Sequence, residues 1–405
     1  MYPNNEQVTY FKKACGVARF AYNWGLAKWK ELYEAGEKPS WIRVNTELNA
    51  IKREQFPWMY EVTKWAPTAA IRDLGKAFAG LFKKRAKYPK FKKRGENDSF
   101  YIIGSESCID VTYITIPKLG PVRLAQEIRL PGRIVSARIK RRADKWFISF
   151  QIEVDESWLH QRRRENQAKG VAAIDLGLID LATVYDGKLA QKVSRRRYED
   201  KLEKRLRRAQ KTLSRRVKGS ANWKKAKLLL GRLHYRLGCL RQNLTHQLTT
   251  LLTRTYRVVI LEDLNVAGMQ RGGGKRKRGL NRSLASACFG EIRRQLEYKQ
   301  QLNCGFVLEV DRFYPSSKTC SACGVVNRAL RMQDRQWTCS DCGTAHDRDV
   351  NAAINLFNFF ADGSSEKSNA CGEDVSPMVE IPPEAASMKQ ESSSSVSHSV
   401  MEFQS

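Results

Sequence analysis

The chain has 405 residues, with 72 Lys and Arg against 42 Asp and Glu, a formal net charge of +30 and an isoelectric point near 9.9. Self-repulsion on that scale brings nothing to a protein that handles neutral metabolites, so it points to a polyanionic partner, with nucleic acid first. At about 150 residues per domain the length predicts two or three domains, and no apolar run approaches the roughly 20 residues of a membrane span. The opening Met1-Tyr2-Pro3-Asn4-Asn5 lacks the basic-then-apolar pattern of a secretory signal, so a cytoplasmic, nucleoid-associated protein is expected.

Residues 6–85 read as helical. Phe11, Cys15, Phe20, Trp24 and Leu26 recur near helical spacing, as do Ile71, Leu74, Phe78, Leu81 and Phe82. Trp24, Trp29, Trp41, Trp58 and Trp65 are expected in a helix-bundle core rather than as base-stacking platforms. Residues 99–155 switch to period two: Trp146, Ile148, Phe150, Ile152 and Val154 alternate with polar neighbours, and Val135, Ala137 and Ile139 alternate before an Ala143-Asp144 turn. That predicts a hairpin with one buried face. Residues 159–170, rich in Arg and Gln, read as a linker.

Short apolar strands follow at Val171–Ile174, Leu181–Val184, Val258–Leu261 and Phe306–Leu308, around a long helical pair over 192–256 with a bend at Gly219-Ser220. Strands interleaved with helices predict an α/β sheet. Residues 361–405 are Ser-rich and carry a net −6, so the tail is expected to be disordered and the body before it carries +36.

The positive charge is concentrated. Residues 83–94 hold eight cations and no acid, with Tyr88 and Phe91 interleaved, and residues 192–241 hold 19 cations against three acids. Solvated helix faces ordinarily mix signs, so both segments read as phosphate-binding surfaces with salt-sensitive affinity.

Ten cysteines include two Cys-x-x-Cys pairs, Cys320/Cys323 and Cys339/Cys342, separated by fifteen residues. In a reducing compartment that spacing predicts two knuckles offering four thiolates to one structural Zn²⁺, with Gly324 and Gly343 supplying the knuckle turns. His346 is not expected to be a ligand.

Three acids stand where apolar elements would deliver them to one point. Asp175 ends Val-Ala-Ala-Ile-Asp, Glu262 ends Val-Val-Ile-Leu-Glu, and Asp349 opens a helix on the side of Ala352, Ala353 and Leu356. Converging carboxylates repel unless cations lie between them, and two Mg²⁺ ions would provide both the neutralisation and a phosphodiester-hydrolysing chemistry. Asp180, Asp263, Asp311 and Asp347 are competitors, Asp347 also as the N-cap of the last helix.

The stretches Ala173-Ile-Asp-Leu-Gly-Leu178, Val-Ile-Leu-Glu-Asp-Leu264, Tyr314-Pro-Ser-Ser-Lys-Thr-Cys-Ser-Ala-Cys-Gly324 and His346-Asp-Arg-Asp-Val-Asn-Ala-Ala-Ile-Asn355 closely resemble the TnpB family, the transposon-encoded RNA-guided DNA endonucleases related to type V CRISPR effectors. The resemblance implies an α+β multidomain protein. A mainly helical recognition lobe with a remnant of a first wedge strand would occupy 1–95, and a β-barrel wedge domain 96–158. An RNase H-like (RuvC) α/β nuclease domain over 171–360 would contain an inserted zinc ribbon at 318–345. The family's catalytic, Mg²⁺-binding acids fall on Asp175, Glu262 and Asp349, and its zinc ligands on the four paired cysteines.

The resemblance further implies a guide RNA from the transposon end, a double-stranded target DNA and a short transposon-adjacent motif. The implied oligomeric state is a monomer or weak dimer. Lys64 and Thr68 would lie in the motif-reading region, and Lys83, Lys84, Arg85, Lys87, Arg195, Arg196, Arg205, Arg208, Arg215 and Arg216 would contact nucleic acid, with the basic helical pair lining a heteroduplex channel. The family usually has a short strand before a Tyr-Pro-Asn-like turn, whereas here that turn opens the sequence, so the expectation is either a missing first wedge strand or a misassigned start codon. A nuclease-inactive RNA-guided repressor and a conventional acidic-triad transposase remain alternatives.

Overall fold

The computed structural model describes residues 1–103, 112–128, 130–166, 168–194, 198–271, 274, 277–331 and 333–361, and the backbone of 399–400. The chain divides into two compact units, one of Met1–Glu156 with Ala209–Tyr235, the other of Ser157–Arg208 with Arg236–Ser405.

The first unit opens with helices α1 (Asn5–Glu34), α2 (Trp41–Gln55) and α3 (Trp65–Phe82), with a short 3₁₀ turn at Pro57–Glu61. Asn4 starts α1 by a reciprocal cap: the Gln7 N–H donates to Asn4 Oδ1 at 2.8 Å, and the Asn4 N–H donates to Gln7 Oε1 at 3.0 Å. Tyr2 N–H donates to Arg123 O at 3.0 Å, so the residues ahead of α1 lie along a strand edge. Gly75 lets α2 approach α3, since a Cβ there would sit 2.7 Å from Trp41 Cβ. Trp29 is buried and Trp24 and Trp41 pack partly buried against the core, as the helical spacing predicts, but Trp58 is 40% exposed, its ring edge-on to Phe20. Trp58 sits in the 3₁₀ turn, where the helical period that would turn it inward does not apply.

Strands β1 (Ser99–Ile103), β4 (Arg133–Arg142) and β5 (Lys145–Glu153) form an antiparallel sheet in the order β1-β4-β5; β2 (Tyr113–Ile116) and β3 (Gly120–Arg123) form a separate two-stranded ribbon. Ala143, at φ 54°, makes the predicted β4–β5 turn. The expected barrel is therefore not closed among the described residues. The inward side chains of β1, β2, β4 and β5 share one core with α1 and α3, and Arg138 on β4 pairs with Asp73 on α3 at 2.9 Å.

Residues 159–170, which the composition assigns to a linker, begin instead within helix α4 (Glu156–Glu165), which leads into the second unit. Glu156 in its first turn and Arg162, Arg163 and Arg164 in its last suit the helix dipole, which an apolar-pattern reading does not register. The strands are β6 (Val171–Asp175), β7 (Asp180–Tyr185), β8 (Ala190–Ser194), β9 (Val258–Glu262) and β10 (Phe306–Val310), and Ser399–Val400 (β13, after the ribbon strands below) pair with β8. β8 occupies the start of the segment expected to be helical; its polar Gln191 and Lys192 hid a strand whose apolar residues are only Ala190 and Val193. Helices α5 (Tyr198–Ser214) and α6 (Ala221–Thr255) follow, with Gly219 at φ 93° in the expected break; their stretch Ala209–Tyr235 belongs to the first unit. Short α7 (Val266–Gln270) and α8 (Arg278–Ala287) lead to α9 (Phe289–Asn303). The ribbon strands β11 (Gln336–Thr338) and β12 (Ala345–Asp347) precede α10 (Arg348–Ala361).

The sheet order is β10-β9-β6-β7-β8-β13, with β6, β9 and β10 parallel and β7 antiparallel to β6 and β8. Both faces are covered, which explains why these strands read as unbroken apolar runs. Ala172, Ile174, Val259 and Leu261 pack under Leu244, Leu248 and Leu252 of α6 and Ile292 and Leu296 of α9; Ala173, Val258 and Ile260 pack under Leu356 of α10. Among the described residues no helix is long and apolar enough to cross a membrane. The expected disordered tail lies outside the described residues, apart from Ser399–Val400.

Candidate active site and metal centre

β6 and β9 pair in register up to Ile174 opposite Leu261, so the residues that follow, Asp175 and Glu262, emerge side by side at the same end of the sheet. α10 packs on β6, β7 and β9 and brings Asp349 in its first turn. Asp175 feels the other two carboxyls. Burial, then Asp349 and Glu262, push the Asp175 carboxyl up to about 7, while burial and then Asp263 raise Glu262. A carboxyl held that far above its ordinary value is costly to ionise until a cation arrives.

Cations of the chain already surround the acids. Arg335, from the ribbon, reaches Asp349 Oδ1 at 3.2 Å, and Lys192 on β8 donates to Asp347 Oδ2 at 2.8 Å. Burial opposes ionisation of Asp347, but Lys192 and the α10 backbone outweigh it and hold that carboxyl below its usual range. Asp347 Oδ1 accepts from the Asp349 and Val350 N–H groups, both at 3.1 Å. The competitor acid is thus the N-cap, which frees Asp349 to face the strand ends. Asp180 is raised by burial against the pull of Lys192. Sequence reasoning missed Arg335 and Lys192, because neither stands near an acid in the chain and no local pattern marks them.

The four cysteines form one cluster whose sulfurs all lie within 4.8 Å of one another. Cys320–Cys342 and Cys323–Cys339 approach to 3.6 Å each. Gly324 and Gly343 both have the positive φ that the knuckle turns require, 79° and 70°. Hydrogen bonding with Thr344 brings the Cys342 thiol down to about 6. Burial pushes Cys320 up and, against a backbone hydrogen bond with Val325, burial and its sulfur neighbours hold Cys323 high, so one thiolate of the four is favoured before a cation arrives. A closed set of four sulfurs suits a tetrahedral Zn²⁺ with no open position, and so a structural role. His346 is no fifth member of that set. It is buried opposite Trp337 in the β11–β12 register, with Nε2 3.0 Å from Cys320 Sγ and its ring 4.6 Å from the Trp337 ring.

Helix α10 joins the two centres. Asn351 and Asn355, one turn apart and buried, donate to Thr319 O at 2.7 and 2.6 Å, Asn355 also donates to Ser316 O at 2.7 Å, and Asn351 Oδ1 accepts from Ser321 N–H at 3.0 Å. The first cysteine knuckle is therefore bonded directly to the helix that carries Asp349.

Of the expected nucleic-acid contacts, Lys83, Lys84, Arg85 and Lys87 are exposed after α3, as are Arg205 and Arg208 on α5 and Arg215 and Arg216 beyond it. Arg195 and Arg196 lie outside the described residues. Lys64 is exposed at the start of α3, and lines a cavity with Lys52, Tyr60, Thr63 and Lys118. The Thr68 hydroxyl donates to Lys64 O at 3.3 Å.

Three family descriptions match the chain: "Probable transposase" (OrfB_IS605) over residues 149–272, "Cas12f1-like, TNB domain" over 289–356, and "Helix-turn-helix domain" over 1–38, a stretch that is mostly the single helix α1 here. A protein of Escherichia coli (strain K12) named as an RNA-guided DNA endonuclease, InsQ, is 31% identical over 391 residues, covering 92% of each chain. The chain belongs to the TnpB family. A Streptomyces pristinaespiralis TnpB relative, also named as an RNA-guided DNA endonuclease, is 32% identical and covers 94% of this chain and 91% of its own. The fold is similar to that of Cas12f1 in its complex with sgRNA and target DNA, at a TM-score of 0.53 and 14% identity, covering 85% of this chain and 81% of that one.

Proposed function

We propose that this TnpB-family protein is an RNA-guided DNA endonuclease that hydrolyses phosphodiesters of double-stranded DNA beside a short transposon-adjacent motif. The observation that carries the reading is the placement of Asp175 and Glu262 at the same end of adjacent parallel strands, with the Asp175 carboxyl raised to about 7 by burial and by the charges of Asp349 and Glu262. The full-length relation to proteins named as RNA-guided DNA endonucleases supports it. In this reading the strand order β8-β7-β6-β9-β10 is the RNase H-like (RuvC) sheet of a nuclease domain over 171–360 that includes the zinc ribbon. Residues 1–95 act as recognition lobe and 96–158 as wedge.

Asp175, Glu262 and Asp349 would hold two Mg²⁺ ions, which supply water activation and leaving-group stabilisation when bound. Asp347 fixes the start of α10 and so the position of Asp349. Lys192 and Arg335 keep neighbouring carboxylates paired until phosphate and metal enter. Cys320, Cys323, Cys339 and Cys342 would hold one Zn²⁺. The exposed cations at 83–87, 205–208 and 215–216 bind guide RNA and target strand through phosphates, Lys64 and Thr68 read the adjacent motif, and sequence choice rests on base pairing.

The test is to purify the protein without nuclease treatment and sequence what it carries. One discrete RNA species is expected; a random sample of cellular RNA would contradict the guided reading.

A further inference from the structure

Because β6, β9 and β10 run parallel, the turn after β10 lies at the sheet end where β6 delivers Asp175 and β9 delivers Glu262. In that turn Phe313 is 85% exposed. Its backbone is well tied: Phe313 N–H donates to Asp311 Oδ1 at 2.7 Å, Tyr314 N–H donates to Asp311 O at 3.0 Å, and the Tyr314 ring packs 4.9 Å from that of Phe359. The neighbouring Arg312 pairs with Asp263, the residue after Glu262, and Asp263 also holds Arg293 at 3.1 Å. An ordered turn thus holds an aromatic ring in water beside two guanidinium groups.

A second apolar side chain stands across the acids. The loop joining β6 to antiparallel β7 is at the same sheet end, and in it Ile179 is 61% exposed. A single exposed apolar residue is commonplace on a protein surface. Here two stand in loops at the same sheet end, one after β10 and one between β6 and β7, on either side of the strands that carry Asp175 and Glu262 in the order β10-β9-β6-β7. With Arg293 and Arg312 on one side and Lys192 and Arg335 on the other, the site combines cations for phosphates with apolar faces for bases. That is the make-up of a single-strand site, since only unpaired bases present their faces.

We propose that Phe313 is a positioning residue for the DNA strand being cut, its ring stacking on an unpaired base next to the scissile phosphate, with Ile179 packing against a base on the far side. The inference rests on the nuclease reading above and adds which side chains of this chain hold the strand at the acids.

The test uses the full chain with its co-purified RNA, and single-stranded DNA oligonucleotides with a stretch complementary to the guide portion of that RNA and unpaired flanks, 2-aminopurine being placed in turn at each unpaired position around the cut. Fluorescence is read in an Asp175→Ala background, so that the strand stays whole. The wild-type ring should quench one position, Phe313→Ala should abolish that quenching and raise KM about tenfold with kcat little changed, and Phe313→Trp should restore both. RNA binding and melting temperature should not move. Phe313→Ala that quenches and cleaves like wild type would overturn the proposal, as would equal defects in the Ala and Trp variants with a fall in melting temperature. Should the wild type fail to cut while quenching persists, the nuclease reading falls and the stacking role stands.

Discussion

Asp175 carries the largest electrostatic cost at the site, and that cost has a sign that can be checked. Its carboxyl is near 7 in the folded chain, above the ordinary value of 3.8. Between those limits the folded state binds the extra proton, so stability of the metal-free protein falls as pH rises from about 4 to about 7. Asp175→Asn removes the charge and should raise the metal-free melting temperature at pH 8, by about 2–4 °C for each kcal/mol relieved. The gain should vanish near pH 4, and a variant no more stable than wild type at pH 8 would show that neither burial nor the neighbouring acids penalise the Asp175 charge. The positions of the three acids, closing β6 and β9 and opening α10, were legible in the sequence because each borders an apolar run. Arg335 and Lys192, which meet Asp349 and Asp347, were not legible, because long-range pairing leaves no local mark.

At the scale of elements, α10 and the cysteine ribbon behave as one device. Asn351 and Asn355 share the carbonyls of Ser316 and Thr319; truncating Asn355 leaves Ser316 O with only the longer 3.4 Å bond from Asn351, and truncating Asn351 leaves Ser321 N–H without its acceptor, losses of about 1–3 kcal/mol. Asn355→Ala should therefore lower the melting temperature and also weaken cleavage, although residue 355 is six positions from Asp349. Loss of stability with full activity would mean that the ribbon and the acid helix are independent. Removing zinc with a chelator should unfold the 318–345 region, read as a gain in amide exchange there; protection unchanged after metal loss would contradict a structural ion. The ribbon was legible from its cysteine spacing alone. Helix α4 and strand β8 were not, since their residues are mostly polar and charge placement rather than apolar period defines them. The open arrangement of β1–β5 was also hidden, because alternation shows which face is buried but not whether a sheet closes.

Over the whole molecule the charge is the property that most constrains behaviour. A body of +36 with exposed cations in two segments should bind nucleic acid with a steep dependence on salt. Replacing Lys83, Lys84, Arg85 and Lys87 by Gln should weaken RNA binding at every sequence tested and flatten the log–log salt slope by about 0.7 for each single-strand phosphate that is no longer neutralised. An unchanged slope would remove that segment from the interface. The excess of cations was plain from composition, but composition does not distinguish a guide RNA from any other polyanion; the ordered motifs and the full-length relatives do that.

The most direct measurement incubates the protein and its co-purified RNA with Mg²⁺ and a DNA duplex that matches the guide and carries the adjacent motif, beside the same complex with Asp175→Ala. Wild type should cut both strands of the matched duplex and spare a mismatched one, and Asp175→Ala should retain its RNA and cut neither. Cleavage that ignores the guide, or that survives Asp175→Ala, would contradict the account.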